Sequence, residues 1–273
     1  MGTTPPEPTR LVCVGDSFTE GMCDDLRPDG HHVGWADRVA AALARRASAS
    51  GGAAVEYANL AVRGKLLDQV VDEQVPPALS FAPAYLTFHA GPNDVLRRGT
   101  DLPDLFRRYD EAVARVAAGA GQVLLFTSIV RDGGQNRLAR VVSERFGRFN
   151  DTVREAAARH GALVVDLGAV TALTDLRLWW VDRLHLNPDG HARVAAAVLE
   201  ALGVDDAALL GGDPGWWREP LAAPSAVRRR EEVLADVEWV RRHALPWVGR
   251  RLRGVSSGDG RRAKDDAPRV VPA

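Results

Sequence analysis

The stretch LVCVGDSFTEG, residues 11–21, decides the fold expected for this chain. Its first four residues are apolar without alternation, a pattern typical of a β-strand that is covered on both faces. Small, polar and acidic residues follow from Gly15 onward, so we predict that the strand ends there and that a turn follows. Such a strand and turn are typical of an open parallel sheet, which binds ligands beyond the carboxyl ends of its strands.

Four more apolar runs follow along the chain. They cover residues 55–62, 84–88, 123–130 and 162–167. The segments between them have helical spacing: Arg137–His160 predicts a long helix that ends at Gly161, and Asn187–Pro188 opens a helix that runs to about Ala201. Strands that alternate with helices predict a three-layer α/β/α domain over residues 10–212, with a five-stranded parallel sheet.

Composition narrows the possible functions. The 273 residues include 35 basic and 36 acidic side chains, a formal net charge of −1, which gives no electrostatic basis for binding nucleic acid. The two cysteines, Cys13 and Cys23, are too few for a disulfide framework or a four-ligand zinc site, and we expect Cys13 to be a buried core residue. We expect no metal and no other cofactor.

The sequence also predicts where the protein resides. Its first residues lack the basic start and apolar stretch of a signal peptide. No apolar run reaches the roughly 18 residues that a membrane-spanning helix requires. We predict a cytoplasmic protein without a transmembrane segment.

The two ends of the chain differ from the domain between them. Residues 1–9 are predicted to be flexible. Residues 213–253 hold four of the seven tryptophans and predict a helical extension, with a helix over residues 226–244. That helix either packs on the domain or, because it is basic and amphipathic, contacts a membrane surface or a partner protein. Residues 254–273 are rich in glycine, serine, proline and charge, and are predicted to be disordered.

Chemically active residues follow the strand ends. Ser17 follows the first strand, Gly64 the second and Asn93 the third, while Asp182 and His185 precede the last helix. We expect them to meet at one edge of the sheet. A serine hydroxyl attacks a carbonyl only when a base takes its proton, and His185 oriented by Asp182 would be that base. The backbone N–H groups of Ser17 and Gly64 and the Asn93 amide would bind the oxyanion that forms.

These residues lie in four short blocks, and the chain resembles the SGNH branch of the GDSL esterase/lipase family. The blocks are Gly15-Asp16-Ser17 with Gly21, Asn59 to Gly64, Gly91-Pro92-Asn93-Asp94, and Asp182-Arg183-Leu184-His185. The resemblance covers residues 10–202 and implies a flavodoxin-like sheet with strand order 2-1-3-4-5. It also implies a metal-free serine hydrolase that acts on a small-molecule acyl ester.

Several functions fit these blocks. We expect hydrolysis of carboxylic esters with short or medium acyl groups, through an acyl-enzyme on Ser17. A thioesterase, an acyltransferase or a carbohydrate deacetylase would use the same site. Two other classes remain: a non-catalytic binding module, and a metal-dependent phosphoesterase with Asp16, Asn93, His185 and His191 around a divalent ion. For a hydrolase, we expect His191 and His89 to be structural residues.

Specificity is expected to lie in the loops around the site. These loops are residues 24–35, 94–104 and 131–137. His31 and His32 in the first loop either belong to a solvated segment or help to wall the substrate cleft. Trp179 and Trp180 precede the Asp182–His185 loop, and they belong either to the core or to the wall of an acyl pocket.

Overall fold

A six-stranded sheet forms the centre of the computed structural model, which describes residues 9–131, 137–222, 242 and 256–273. The strands are β1 (Thr9–Gly15), β2 (Val55–Asn59), β3 (Tyr85–His89), β4 (Gln122–Phe126), β5 (Leu163–Val165) and β6 (Asp265–Val270). Their order is β5-β4-β3-β1-β2-β6; the first five are parallel, and β6 runs antiparallel to β2. The α/β/α fold and the order 2-1-3-4-5 of the parallel strands are confirmed.

Helices cover both faces of this sheet. They are α1 (Ser17–Glu20), α2 (Gly34–Ala49), α3 (Leu67–Glu73), α4 (Val75–Ser80), α5 (Pro92–Val95), α6 (Leu102–Gly119), α7 (Arg137–His160), α8 (Pro188–Ala201) and α9 (Ala207–Leu210). Alternate residues of a strand point to opposite faces, so β1 contributes to two cores. Leu11 and Cys13 pack with α2 and α8, whereas Val12 and Val14 pack with α6 and α7. Cys13 is buried as predicted, and burial raises its pKa to about 12.

Local sequence signals placed several boundaries correctly. Helix α7 has the predicted bounds, and Gly161 follows it with a φ of +70°. Asn187 caps α8 by accepting the N–H of Gly190 at 3.0 Å. Three strands are shorter than predicted: β2 ends at Asn59, β4 ends at Phe126, and β5 spans only Leu163–Val165. The apolar residues beyond β4 form a loop instead.

The prediction of a disordered C-terminal tail is wrong for residues 256–273. Residues 265–270 form β6, which extends the sheet beyond β2 and pairs Glu56 with Val270 and Tyr57 with Arg269. The tail therefore belongs to the domain, and the parallel sheet gains one antiparallel edge strand.

Ion pairs explain why a charged tail is ordered. The Lys264 side chain is almost completely buried, and its Nζ donates to Asp37 Oδ2 at 2.5 Å. Asp265 accepts from Arg27 Nη1 at 2.7 Å and from Arg269 Nε at 2.7 Å. A high charge content indicates disorder when the charges stay in water. Here the charges of the tail meet opposite charges on the domain, so the composition was misleading.

The predicted extension over residues 213–253 is described only at its start. Trp217 is buried, and its Nε1 donates to Glu200 Oε2 at 2.8 Å, which ties this part of the chain to α8. The predicted helix over residues 226–244 lies outside the described residues apart from residue 242, as do residues 1–8. Among the helices that are described, none is long and apolar enough to cross a membrane.

Candidate active site

Ser17 lies at the carboxyl end of β1, at the first position of α1. Asp16 caps this helix, because its Oδ1 accepts the N–H of Phe18 at 3.1 Å. Capping is therefore the role of Asp16, and Ser17 lines a cleft. Gly21 ends α1 with a φ of +89°, and a Cβ there would lie 2.4 Å from the Cα of Gly34. The turn after Ser17 thus requires glycine.

Asp182 and His185 are joined in the loop before α8. Asp182 Oδ2 lies 2.7 Å from His185 Nδ1, and Asp182 Oδ1 accepts the backbone N–H groups of Leu184 at 2.9 Å and of His185 at 3.1 Å. Arg183, between them, adopts a left-handed conformation with a φ of +57°. This turn brings the carboxylate back onto the imidazole.

The environment of Asp182 keeps its carboxyl group ionised. Burial raises the pKa of this group, but the hydrogen bond and charge of His185 and the two backbone N–H groups outweigh burial and lower the pKa below its ordinary value. An ionised carboxylate only accepts hydrogen bonds, so we assign the proton of this pair to His185 Nδ1. Nε2 is then the ring nitrogen that can accept a proton.

Asn93 stands at the start of α5, directly after β3. Its Nδ2 donates to Asp16 Oδ2 at 3.1 Å and to the backbone oxygen of Lys65 at 3.0 Å. Asp16 also accepts from His89 Nδ1 at 3.2 Å. Asp16 thus links the ends of β1 and β3 and holds the Asn93 amide near Ser17. His89 is buried and hydrogen-bonded, as expected of a structural histidine, and it also lines the cleft.

Gly64 follows β2, and in the described part of the chain it does not line the cleft. Its φ is +75°, and a Cβ there would lie 2.2 Å from Ser256 Oγ. Gly258 is packed as closely, because a Cβ there would lie 1.9 Å from the backbone oxygen of Arg63. The C-terminal turn therefore covers Gly64. Glycine is needed here for that packing, and its role as an oxyanion donor stays a prediction.

A cleft of about 700 Å³ opens at the carboxyl edge of the sheet. It brings Ser17, Asn93 and His185 together. Its other polar residues include Asp16, His89, Thr127, Ser128, Arg131, Arg183 and His191. Its apolar walls include Phe18, Met22, Leu96, Ile129, Val130, Val142, Phe146, Leu167, Trp179, Leu184 and Leu186. The cleft therefore combines a small polar centre with a large apolar surface.

The Ser17 hydroxyl and the His185 imidazole both line this cleft. Within the described residues, His185 Nδ1 is bonded to Asp182, and no hydrogen bond joins Ser17 to His185. Catalytic hydrogen bonds are often long in ligand-free sites and shorten when substrate binds.

Cys23 lies beside the Asp182–His185 pair. One donor atom of each of the three side chains lies within 4.8 Å of the others. A thiolate, an imidazole and a carboxylate are ligands that Zn²⁺ accepts. However, burial and the negative charge of Asp182 raise the pKa of Cys23 to about 12. The thiol is therefore protonated near neutral pH, which disfavours metal binding.

His191 is a buried structural residue. It is 1% exposed; its Nε2 lies 3.0 Å from the backbone oxygen of Met22, and its Nδ1 accepts the N–H of Trp35 at 3.3 Å. Burial lowers its pKa to about 4, so the ring is neutral near pH 7. Both ring nitrogens are used by backbone groups, which argues against a role for His191 as the metal ligand of a phosphoesterase.

One prediction about the cleft walls needs correction, and one alternative that the sequence left open is resolved. Residues 24–35 do not line the cleft among the described residues. Lys264, the residue before β6, contacts this loop: its Nζ donates to the backbone oxygens of His32 at 2.8 Å and of Val33 at 2.7 Å. Trp179 lines the cleft, whereas Trp180 is 45% exposed.

Residues 127–130 were predicted to continue a strand, whereas the adjoining loop from residue 131 was predicted to wall the cleft. The polar pair Thr127-Ser128 interrupts the apolar run and was the available signal for the end of the strand. Beyond it, the chain forms one wall of the cleft and carries Arg131 into it.

Comparison with known proteins shows which family the chain belongs to. The family model of the GDSL-like lipase/acylhydrolase family matches residues 13–193. The chain belongs to this family and is a serine hydrolase. No curated protein matches it.

Three solved structures are similar to the chain. LAE5, an alpha/beta hydrolase from the metagenome of Lake Arreo in Spain, is 25% identical with a TM-score of 0.57, over 72% of this chain and 95% of LAE5. The acetylxylan esterase Axe2 from Geobacillus stearothermophilus is 22% identical with a TM-score of 0.58, over 71% of this chain and 94% of Axe2. A lipase/acylhydrolase from Enterococcus faecalis is 21% identical with a TM-score of 0.56, over 71% of this chain and 94% of that protein. The last two likenesses concern the fold.

Proposed function

We propose that this protein hydrolyses carboxylic esters through an acyl-enzyme on Ser17. The observation that carries the proposal is the 2.7 Å hydrogen bond between Asp182 and His185 beside the cleft that holds Ser17. A serine, a histidine and an aspartate in this relation form a catalytic triad whatever their order in the chain.

The first half-reaction uses all three residues of this triad. His185 Nε2 takes the proton of the Ser17 hydroxyl while Oγ attacks the ester carbonyl, and Asp182 stabilises the imidazolium that results. The tetrahedral intermediate collapses, His185 protonates the leaving alkoxide, and the alcohol departs. Water then attacks the acyl-enzyme in the same way and releases the carboxylic acid.

The negative charge on the intermediate needs donors. In this proposal the Asn93 amide and the backbone N–H of Ser17 supply them, with Gly64 as the third donor. Asn93 Nδ2 donates to Asp16 Oδ2 and to the backbone oxygen of Lys65. One of its N–H groups therefore has to turn to the oxyanion when substrate binds. Removal of one such donor typically lowers kcat by about 10²–10³-fold.

The apolar cleft supports an acyl ester with a short or medium chain. A thioesterase, an acyltransferase or a carbohydrate deacetylase would use the same triad. A panel of esters, thioesters and acetylated sugars separates these activities.

The protein is expected to act in the cytoplasm.

Kinetics of two variants test the proposal. Ser17→Ala and His185→Ala should each lower kcat on p-nitrophenyl acetate by about 10⁴-fold or more. Circular dichroism should show that both variants stay folded. Turnover close to wild type in either folded variant would overturn the triad.

A further inference from the structure

Among the described residues, one positive charge in the cleft wall has no carboxylate partner. Arg131 lines the cleft together with Ser17 and His185. Within the described residues no carboxylate pairs with it, and its Nη1 is shielded from water without a hydrogen-bond partner. Arg38, another partly buried arginine, is paired with Asp24 at 2.6 Å.

The protein holds this guanidinium in place by other means. Arg131 Nη2 donates to the backbone oxygen of Arg183 at 2.8 Å. Its Cζ lies 4.9 Å from the centre of the Trp179 ring, and the stacking fixes the plane of the group. Burial and the positive charge of Arg183 both lower the pKa of Arg131, which shows that this environment disfavours an isolated cation.

An unpaired charge in a half-buried position costs free energy, and it persists where function requires it. Because this charge borders the cleft of the nucleophile, we propose that the substrate itself supplies the counter-ion. The inference rests on the proposed esterase function and names its substrate class: esters that carry a carboxylate besides the scissile ester bond. Arginine suits a planar carboxylate, and one positive charge matches a group that carries one negative charge.

The other residues that line the cleft indicate which further groups the substrate has. Leu96, Ile129, Val142 and Phe146 give the cleft an apolar wall. A substrate that fits both features has an apolar body with an anionic end. The carboxylate can belong to the acyl part or to the alcohol part, and matched esters distinguish the two.

The test compares pairs of esters with the same carbon skeleton, in which a carboxylate replaces a methyl group. For the acyl part, mono-p-nitrophenyl succinate is compared with p-nitrophenyl butyrate; for the alcohol part, 4-acetoxybenzoate is compared with 4-methylphenyl acetate. The wild type should prefer the charged member of at least one pair by about 10- to 100-fold in kcat/KM, the worth of a charge-assisted hydrogen bond. Arg131→Gln should abolish this preference while turnover of the neutral esters continues, and Arg131→Lys should retain part of it.

Arg98→Gln is the matched control, because Arg98 is exposed and does not line the cleft. This variant should keep the preference of the wild type. Equal or lower kcat/KM for both charged esters, or a preference that survives in Arg131→Gln, would overturn the inference. Ser17-dependent turnover of the neutral esters would leave the proposed function standing in that case.

A binding measurement gives a readout that does not need turnover. Succinate should raise the melting temperature of the wild type and of Arg98→Gln, but not that of Arg131→Gln, and succinamide should raise none of them. Equal effects of succinate on the wild type and on Arg131→Gln would contradict an anion site at Arg131.

Discussion

The C-terminal strand offers a sharp test of how the domain is stabilised, because the chain contains only two lysines and they differ in environment. The Lys264 side chain is 1% exposed, and its Nζ donates to Asp37 Oδ2 and to two backbone oxygens of the loop before α2. Lys65 pairs with Glu73, which is 52% exposed. Lys264→Met removes a buried ion pair, whereas Lys65→Met removes a surface pair.

The expected loss of stability in Lys264→Met depends on the partners that remain for Asp37. Breaking a buried ion pair costs about 3–5 kcal/mol, because the remaining charge loses its compensation. Asp37 keeps hydrogen bonds from Arg27 Nη1 at 3.3 Å and from the Tyr57 hydroxyl at 3.0 Å. We therefore expect Lys264→Met to lower the free energy of unfolding by about 3 kcal/mol, the lower end of this range. At roughly 2–4 °C per kcal/mol for a domain of this size, Lys264→Met should lower Tm by about 6–12 °C.

Differential scanning calorimetry on both variants measures this difference. Lys65→Met should lose at most about 1 kcal/mol, as expected of an exposed pair. A Tm for Lys264→Met within about 2 °C of that of Lys65→Met would refute the claim that buried ion pairs dock the tail.

Two further predictions concern protons and metals. Burial lowers the pKa of His191 to about 4, so the folded state binds fewer protons than the unfolded state between about pH 4 and pH 6.5. The free energy of unfolding should therefore fall by about 3 kcal/mol as the pH drops through this window. Urea titrations should show a smaller fall in the His191→Asn variant. An equal fall in the variant and the wild type would contradict the buried, neutral state assigned to His191. EDTA should leave esterase activity unchanged, because every protein group in the proposed mechanism is a side chain or a backbone amide. A strong loss of activity that Zn²⁺ or Mn²⁺ restores would favour the phosphoesterase alternative.

Much of the fold is predictable from local sequence because its signals are local. The run Leu11–Val14 is apolar throughout and becomes a strand buried on both faces. Asn187 and Pro188 place the start of α8 correctly because capping and proline geometry depend on neighbouring residues only. The positions of Ser17 and Asn93 after strand ends follow from the same reasoning.

The features that were missed depend on contacts between distant parts of the chain. Strand β6 is ordered by Arg27, Asp37 and Tyr57, which lie more than 200 residues before it, so its own composition indicates disorder. The close packing of Ser256 against Gly64 arises in the same way. No local pattern in either segment reports the presence of the other.

The proposed mechanism requires Ser17 to be the nucleophile. Labelling with a fluorophosphonate probe tests this requirement most directly. Mass spectrometry of the labelled protein should find one adduct, on Ser17. The adduct should be absent in Ser17→Ala and form far more slowly in His185→Ala. Ser128→Ala, which removes another hydroxyl of the same cleft, should still carry the adduct on Ser17. An adduct on a different residue, or equal labelling of Ser17→Ala and the wild type, would contradict the account.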